Sequence, residues 1–289
     1  MRLFSIKELE RISSVKAHTI RIWEKRFQLL NPVRIGNNVR CYSLADVLLL
    51  MDIDMLLRNN HKISKIALLP HEEIRFEANK IETDDGRRDR SIRNLVSFMF
   101  DNNIDDFEKE LNDSVLTFGI KFTIGNIIMP FLEKVNLTSY KESTIEAHFV
   151  VTAVRKKIIL GIEQIKEQKK ANKSILLFLP EEEHYDLILL YQYYLMKESG
   201  FTVYYLGTNI TAQNLSLASE KMAPDYLGCY IADKNRPLTR VYFELLSQSS
   251  NMKNIFVTYS ESLIKSAFDE YPGVTCCRYN LLLSNLKNE

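Results

Sequence analysis

From about residue 172 onward the chain alternates between short apolar runs and amphipathic stretches, and few folds satisfy that pattern. Residues 174–179 (SILLFL), 201–206 (FTVYYL), 226–231, 255–259 and 274–279 are each strand-length and rich in β-branched or aromatic side chains. Helical periods at 185–199, 212–222, 238–246 and 262–268 separate them, with Gly200 closing the first. Strands apolar throughout need cover on both faces, and helical connections carry the chain back for parallel pairing. Residues 171–289 are therefore expected to form an α/β doubly wound parallel sheet of the flavodoxin or Rossmann type. Such sheets hold ligands outside the carboxyl ends of their strands, which directs attention to residues 180–185, 207–211, 231–236 and 259–262. Neither a G-x-G-x-x-G nor a Walker A pattern follows the first run, so dinucleotide and nucleoside-triphosphate sites lack support.

The preceding stretch, residues 91–170, has a helical period instead. Ile92, Leu95, Val96 and Met99 form one stripe; Ile104, Phe107, Leu111 and Val115 form a second. A third, Phe122 to Leu132, is interrupted by Pro130, and a long helix is expected over 142–168. Four helical segments joined at three breaks imply a four-helix bundle. Residues 71–90 are dense in charge and read as a linker. No long uninterrupted coil is present to pair two chains, so dimer contacts are expected elsewhere.

Residues 1–70 differ in charge: 12 Lys/Arg stand against 6 Asp/Glu, a net of +6, in a chain whose formal total is only +1. One end of the molecule is thus suited to a polyanion. Ser5 and Glu8 form a capping box for a first helix, and a second follows at about 16–27 with Ile20, Trp23 and Phe27 facing inward. That geometry leaves Lys16, His18, Thr19, Arg21, Lys25 and Arg26 mostly outside. After Asn31 and Pro32, two short strands meet at Gly36-Asn37-Asn38, residues that tolerate positive φ, and carry Arg34 and Arg40 on a basic wing. A helix at about 43–59, with Leu44, Val47, Leu48, Met51 and Met55 as its inner stripe, completes the scaffold. Helix, turn, helix and wing together form a winged helix-turn-helix, with the second helix as recognition helix. The four cysteines, Cys41, Cys229, Cys276 and Cys277, lack C-x-x-C spacing and read as buried free thiols. With no apolar run of membrane-spanning length and no signal-peptide core, a cytoplasmic protein without a membrane partner is expected.

The stretches FSIKELERISSVKAHTIRIWEKR and NPVRIGNNVRCYSLADVLLL resemble the winged-helix domain of MerR-type transcriptional regulators, with matches at Val15, Thr19, Ile20, Arg21, Trp23, Glu24, Arg26, Arg34, Arg40, Tyr42 and Ser43. The resemblance implies that the second helix reads a major groove while the wing contacts backbone. It makes Lys16, His18, Thr19, Arg21, Lys25, Arg26, Arg34, Asn37, Arg40 and Tyr42 the DNA-contact candidates. Trp23, where metal-sensing members have tyrosine, resembles the subgroup with a light- or cobalamin-sensing C-terminal half. Cys41 stands where an apolar residue is usual and is expected to pack inward.

The same resemblance extends to the C-terminal half. Cobalamin modules of this type carry an acidic residue, any residue, a histidine, two residues and a glycine, the histidine ligating cobalt from below. Glu182 and His184 supply the acid and the ligand, with Leu187 in the place of the glycine. Thr208 or Thr211 would meet the nucleotide tail, while Tyr259 falls where a glycine pair is expected. In the bundle His148 matches a histidine of the upper pocket, but Ala147 replaces its glutamate partner and no covering tryptophan is present. Cobalamin is the implied cofactor, with its cobalt on His184. The leading expectation is a sequence-specific DNA-binding transcriptional regulator, not an enzyme, with its C-terminal half available for an effector. The partners are a double-stranded operator, further copies of the chain as a homodimer or tetramer, and RNA polymerase. The alternatives are a cobalamin-dependent photo- or ligand sensor with intact corrinoid binding, and a corrinoid carrier or methyltransferase-like protein.

Overall fold

The computed structural model describes residues 2–36, 38–137, 144–166, 172–183, 186–231, 255–259 and 274–278, together with Tyr242 and Leu282. The chain forms two compact units, one of residues 1–137 with 144–150 and one of residues 138–143 with 151–289. The division falls inside a helix and not near the expected boundary at 170/171.

The first unit opens with β1 (Phe4–Ser5), α1 (Ile6–Ser13) and α2 (Ala17–Phe27). The Ser5–Glu8 capping box is formed: Ser5 Oγ accepts from Glu8 N at 3.3 Å, and Ser5 N donates to the Glu8 carboxylate at 2.7 Å. Ser14, left-handed at φ 67°, ends α1 and makes the turn into α2. The hairpin β2 (Val33–Ile35) and β3 (Val39–Tyr42) follows, and β3 pairs with both β1 and β2. Gly36 takes φ +54° in its turn, which a side chain would strain. Tyr42 is fully buried. Since side chains alternate across a strand, Cys41 turns outward and is half-exposed, opposite to the inward packing expected of it. Cys229 and Cys277 are buried, whereas Cys276 is only partly so.

α3 (Leu44–Arg58) begins on a second capping box, Ser43 with Asp46. Its buried surface is wider than one stripe. Leu49, Leu50, Ile53 and Leu56 are buried beside Val47, Met51 and Met55, while the expected Leu44 and Leu48 are only half-buried. The reason is position, because α3 packs against α1 as well as α5 (His71–Asn79) and α6 (Asp84–Phe100). The short α4 (Ile63–Ile66) precedes them. Residues 71–90 are thus almost wholly helical and not a linker. Thr83 caps α6, Asp84 and Asp85 fill its first turn, and Arg88 pairs with Asp85 at 2.8 Å. The dense charge is the exposed face of a helix start.

α7 (Ile104–Phe118) packs on α6. The third helical segment runs through its proline: α8 (Ile120–Phe122) passes by a π turn at Thr123–Ile128 into α9 (Met129–Val135). Pro130 sits at the start of α9, where its missing N–H is absorbed by the widened turn just before it. α10 (Ile145–Glu163) is shorter than expected, and only its first turns belong to this unit.

The second unit is built on a five-stranded sheet in the order β5–β4–β6–β7–β8, every pairing parallel. The strands are β4 (Ser174–Pro180), β5 (Thr202–Ile210), β6 (Tyr226–Ile231), β7 (Ile255–Tyr259) and β8 (Val274–Arg278). This is the expected doubly wound sheet, with the direction of winding reversing between β4 and β6. α11 (Asp186–Glu198) and α12 (Ala212–Met222) match two of the expected helices; those expected at 238–246 and 262–268 lie outside the described residues apart from Tyr242. β4 approaches β6 closely at Gly228, where a Cβ would come within 2.6 Å of Leu177 Cδ2. Among the described residues no helix is long and apolar enough to cross a membrane.

Candidate nucleic-acid interface and the strand exits

α2 turns two residues inward, Ile20 at 0% and Trp23 at 7% exposure, and through them it is anchored to the scaffold. The opposite surface carries Lys16, His18, Arg21, Lys25 and Arg26, all exposed, with Thr19 at the margin. The start of α2 is fastened from α1: Glu10 accepts from Ala17 N at 3.3 Å and pairs with Lys16 Nζ at 3.2 Å. The Lys16 hydrogen bond, followed by that of Ala17, holds the Glu10 carboxyl below its usual range. Lys16 is therefore already paired within the protein. His18 Nε2 lies 3.3 Å from Thr19 Oγ1, and Arg26 stacks over Phe27 at 5.2 Å. Arg21 and Lys25 form no ion pair among the described residues, so their charges are open to an external anion.

The wing stands next to this surface through Glu24. Arg40 Nε donates to Glu24 Oε1 at 2.9 Å, and Tyr42 Oη donates to Glu24 Oε2 at 3.3 Å. Burial, reinforced by the Glu24 carboxylate, pushes the Tyr42 hydroxyl up to about 12, so it remains a donor at neutral pH. Two expected DNA contacts change role here. Tyr42 has no exposed surface to offer a duplex, because it packs into the core beside Phe4 and braces Glu24. Arg40 is half-exposed and already holds α2 to the wing. Arg34 is exposed and donates to Asn38 Oδ1 across the turn at 2.8 Å; Asn37 lies outside the described residues. Glu24 shows in the sequence as a lone negative charge among the cations of α2 and as one of the matches to the MerR-type domain, but neither tells of its part in holding the wing.

The carboxyl end of the sheet is the second candidate site. β4 and β5 end side by side, with Pro180 paired to Ile210. Glu182 is exposed there in a left-handed conformation, φ 66°, and Glu183 beside it is buried. His184, the expected cobalt ligand, lies outside the described residues. Thr208 is exposed inside β5, because that strand runs four residues past its expected end. Thr211 caps α12, its hydroxyl accepting from Asn214 N at 3.1 Å. His148 is exposed on α10 and belongs to the other unit, while Ala147 is buried.

Tyr242, which no sequence pattern singled out, closes this end of the sheet. It is 2% exposed, stacks on Phe178, accepts from Glu181 N at 3.2 Å, and is hydrogen-bonded to Ile210 O. At the β7 exit Thr258 is fully buried, donates to Cys229 O at 2.9 Å, and accepts from Gln192 of α11. Leu187 is buried at the head of α11, and Tyr259 is partly buried at the end of β7. Where the resemblance places a glycine pair at the end of β7, the side chains present are thus Thr258, hydrogen-bonded within the sheet and to α11, and Tyr259, both larger than glycine and less suited to admit a flat nucleotide base.

With this geometry in view, comparisons with known proteins divide along the chain. Residues 4–71 match the family described as MerR HTH family regulatory protein. A 104-residue stretch is 25% identical to the HTH-type transcriptional regulator MlrA of Escherichia coli, covering 36% of this chain and 40% of that relative's length. Among solved structures, the monomethylamine corrinoid protein of Methanosarcina barkeri superposes with a TM-score of 0.52 at 12% identity, over 70% of this chain and 96% of that one. The methanol:cobalamin methyltransferase complex MtaBC of the same organism aligns at a TM-score of 0.38 and 13% identity, over 81% of this chain and 92% of that one. Only the first of these two is near enough to speak for the fold. The chain accordingly carries an N-terminal MerR-like helix-turn-helix domain, followed by a helical and parallel-sheet fold similar to that of a corrinoid protein.

Proposed function

We propose that this protein is a sequence-specific DNA-binding transcriptional regulator, gated by an effector through its C-terminal half. The observation that carries the reading is the pair of uncompensated cations, Arg21 and Lys25, on one exposed face of α2, beside a wing that Glu24 holds in place. A helix of this kind in a major groove, with a neighbouring strand pair on the backbone, is how helix-turn-helix modules grip a half-site. One module covers only a half-site, so the operator is an inverted repeat bound by a homodimer or tetramer, with RNA polymerase as the downstream partner. Arg21, Lys25, Arg26 and Arg34 carry the contacts, His18 and Thr19 flank them, and Arg40, paired with Glu24, holds the wing against α2. Replacing Arg21 by alanine weakens operator binding at fixed salt by tenfold or more and leaves the melting transition in place. Equal binding by Arg21→Ala and wild type in a mobility-shift titration would overturn the assignment.

A second reading, favoured by the likeness to a corrinoid protein, makes the effector a corrinoid. Glu182 and His184 have the donor chemistry for its lower face, while Thr258 and Tyr259, in the place of the expected glycine pair, stand against a buried tail. Bound corrinoid would supply a light- or ligand-sensitive cobalt–carbon bond. The test is direct: protein mixed with adenosyl-, methyl- or hydroxocobalamin in the dark and then desalted either retains the red chromophore, with a spectrum that His184→Ala alters, or elutes colourless. Colourless protein removes the corrinoid-sensor reading and the corrinoid-carrier alternative, and leaves the DNA-binding proposal standing. Retained corrinoid without any selected DNA sequence would favour the carrier, a role in which the cationic front has no purpose.

A further inference from the structure

The surface that α2 offers is not uniformly polar. His18, Arg21, Ile22 and Lys25 follow the i, i+3, i+4, i+7 spacing and share one stripe, opposite the buried Ile20 and Trp23. Ile22 lies in the middle of that stripe and is 53% exposed. A β-branched residue there contributes little to the helix itself, and more than half of its surface is left open to solvent. On the reading of α2 as the recognition helix, this is the face that enters the groove, and Arg21 and Lys25 fix how deeply Ile22 reaches. The only apolar group that a base pair displays in the major groove is the C5-methyl of thymine.

We propose that Ile22 is a specificity-determining residue that packs on a thymine methyl in each half-site. The proposal rests on the DNA-binding reading and adds the identity of one base. Arg21 and Lys25 supply attraction that any sequence satisfies, or hydrogen bonds to other bases. Cytosine at that position carries no C5-methyl, so Ile22 loses there the apolar contact it makes on thymine.

The experiment uses the full chain. An operator is first selected from a random duplex pool, and each thymine in it is then replaced singly by deoxyuridine, which removes the methyl and leaves the hydrogen-bonding edge unchanged. Wild type should lose about fourfold in affinity at one thymine and its symmetry mate, the factor that burial of one methyl-sized group commands. Ile22→Ala, at an exposed helical site that alanine suits, should bind the thymine and deoxyuridine duplexes alike. A wild type indifferent to every deoxyuridine replacement, or an Ile22→Ala protein that keeps the thymine preference, overturns this inference alone. If no sequence emerges from the pool, the DNA-binding reading fails and takes the inference with it.

Discussion

Glu24 carries more of the arrangement at the N-terminal end than any of the cations around it. Its two oxygens receive Arg40 and Tyr42, so one carboxylate sets the angle between α2 and the wing. Glu24→Ala therefore separates two effects by sign. Loss of a negative charge next to a polyanion should raise affinity for DNA, whereas loss of the brace should lower it. We expect a net fall in operator affinity, read by titration at fixed salt, with binding to unrelated DNA unchanged or slightly stronger. Tyr42→Phe, which deletes one buried hydrogen bond and keeps the ring, should cost about 0.5–1.5 kcal/mol in chemical denaturation. Sequence reasoning placed Arg34, Arg40 and Tyr42 on the same hairpin. It could not see that strand alternation sends Tyr42 into the core, because the partner that decides the register, Phe4 in β1, lies 38 residues earlier.

At the level of elements, the helix-turn-helix is fused to the bundle behind it. Arg93 of α6 meets Asp52 of α3 at 2.7 Å, with both side chains at most 4% exposed. Burial raises the Asp52 carboxyl even against the pull of Arg93. Asp52→Ala leaves an uncompensated buried cation and should cost about 3–5 kcal/mol, while a paired replacement of both residues by apolar side chains should cost far less. Urea denaturation of the single and double variants checks this. Lys134 of α9 makes a second fastening, donating to Ile12 O at 2.8 Å and Ser14 Oγ at 2.6 Å, while Arg11 Nε donates to Lys134 O at 3.0 Å. Burial lowers the Lys134 amine from its ordinary value of 10.5, so between its folded and unfolded values the native state binds fewer protons than the unfolded one. Stability from this group rises as pH climbs through that window and is lost as pH falls through the folded value. The stability of wild type relative to Lys134→Met should therefore improve on approaching pH 10.5, as followed by thermal melting. Neither fastening was legible in the sequence. Asp52 sits inside the apolar run LLLMDIDMLL, where a buried charge was visible only as an irregularity, and its partner lies 41 residues away, between Ile92 and Leu95 in the first stripe of the expected bundle.

For the whole molecule, the architecture was more legible than its divisions. Periodicity alone separates helical from sheet-forming halves, and five apolar runs become five parallel strands in the order β5–β4–β6–β7–β8. The division of compact units inside α10 was hidden, because a helix with apolar residues throughout its length shows no seam. β6 and β7 end where their apolar runs end, β4 one residue later, and β5 runs on to Ile210; the pairings at these ends, Gln192 with Thr258 and Tyr242 with Ile210, join residues distant in sequence and form only in the folded sheet. The account as a whole stands on the face of α2. It is tested most directly by measuring, at one physiological salt concentration, the dissociation constants of wild type and Arg21→Ala for the selected inverted repeat and for a scrambled duplex of the same length. Wild type should prefer the selected duplex by about a thousandfold or more, and Arg21→Ala should lose at least tenfold on it. Equal affinity of wild type for the two duplexes, or an Arg21→Ala protein indistinguishable from wild type, would contradict it.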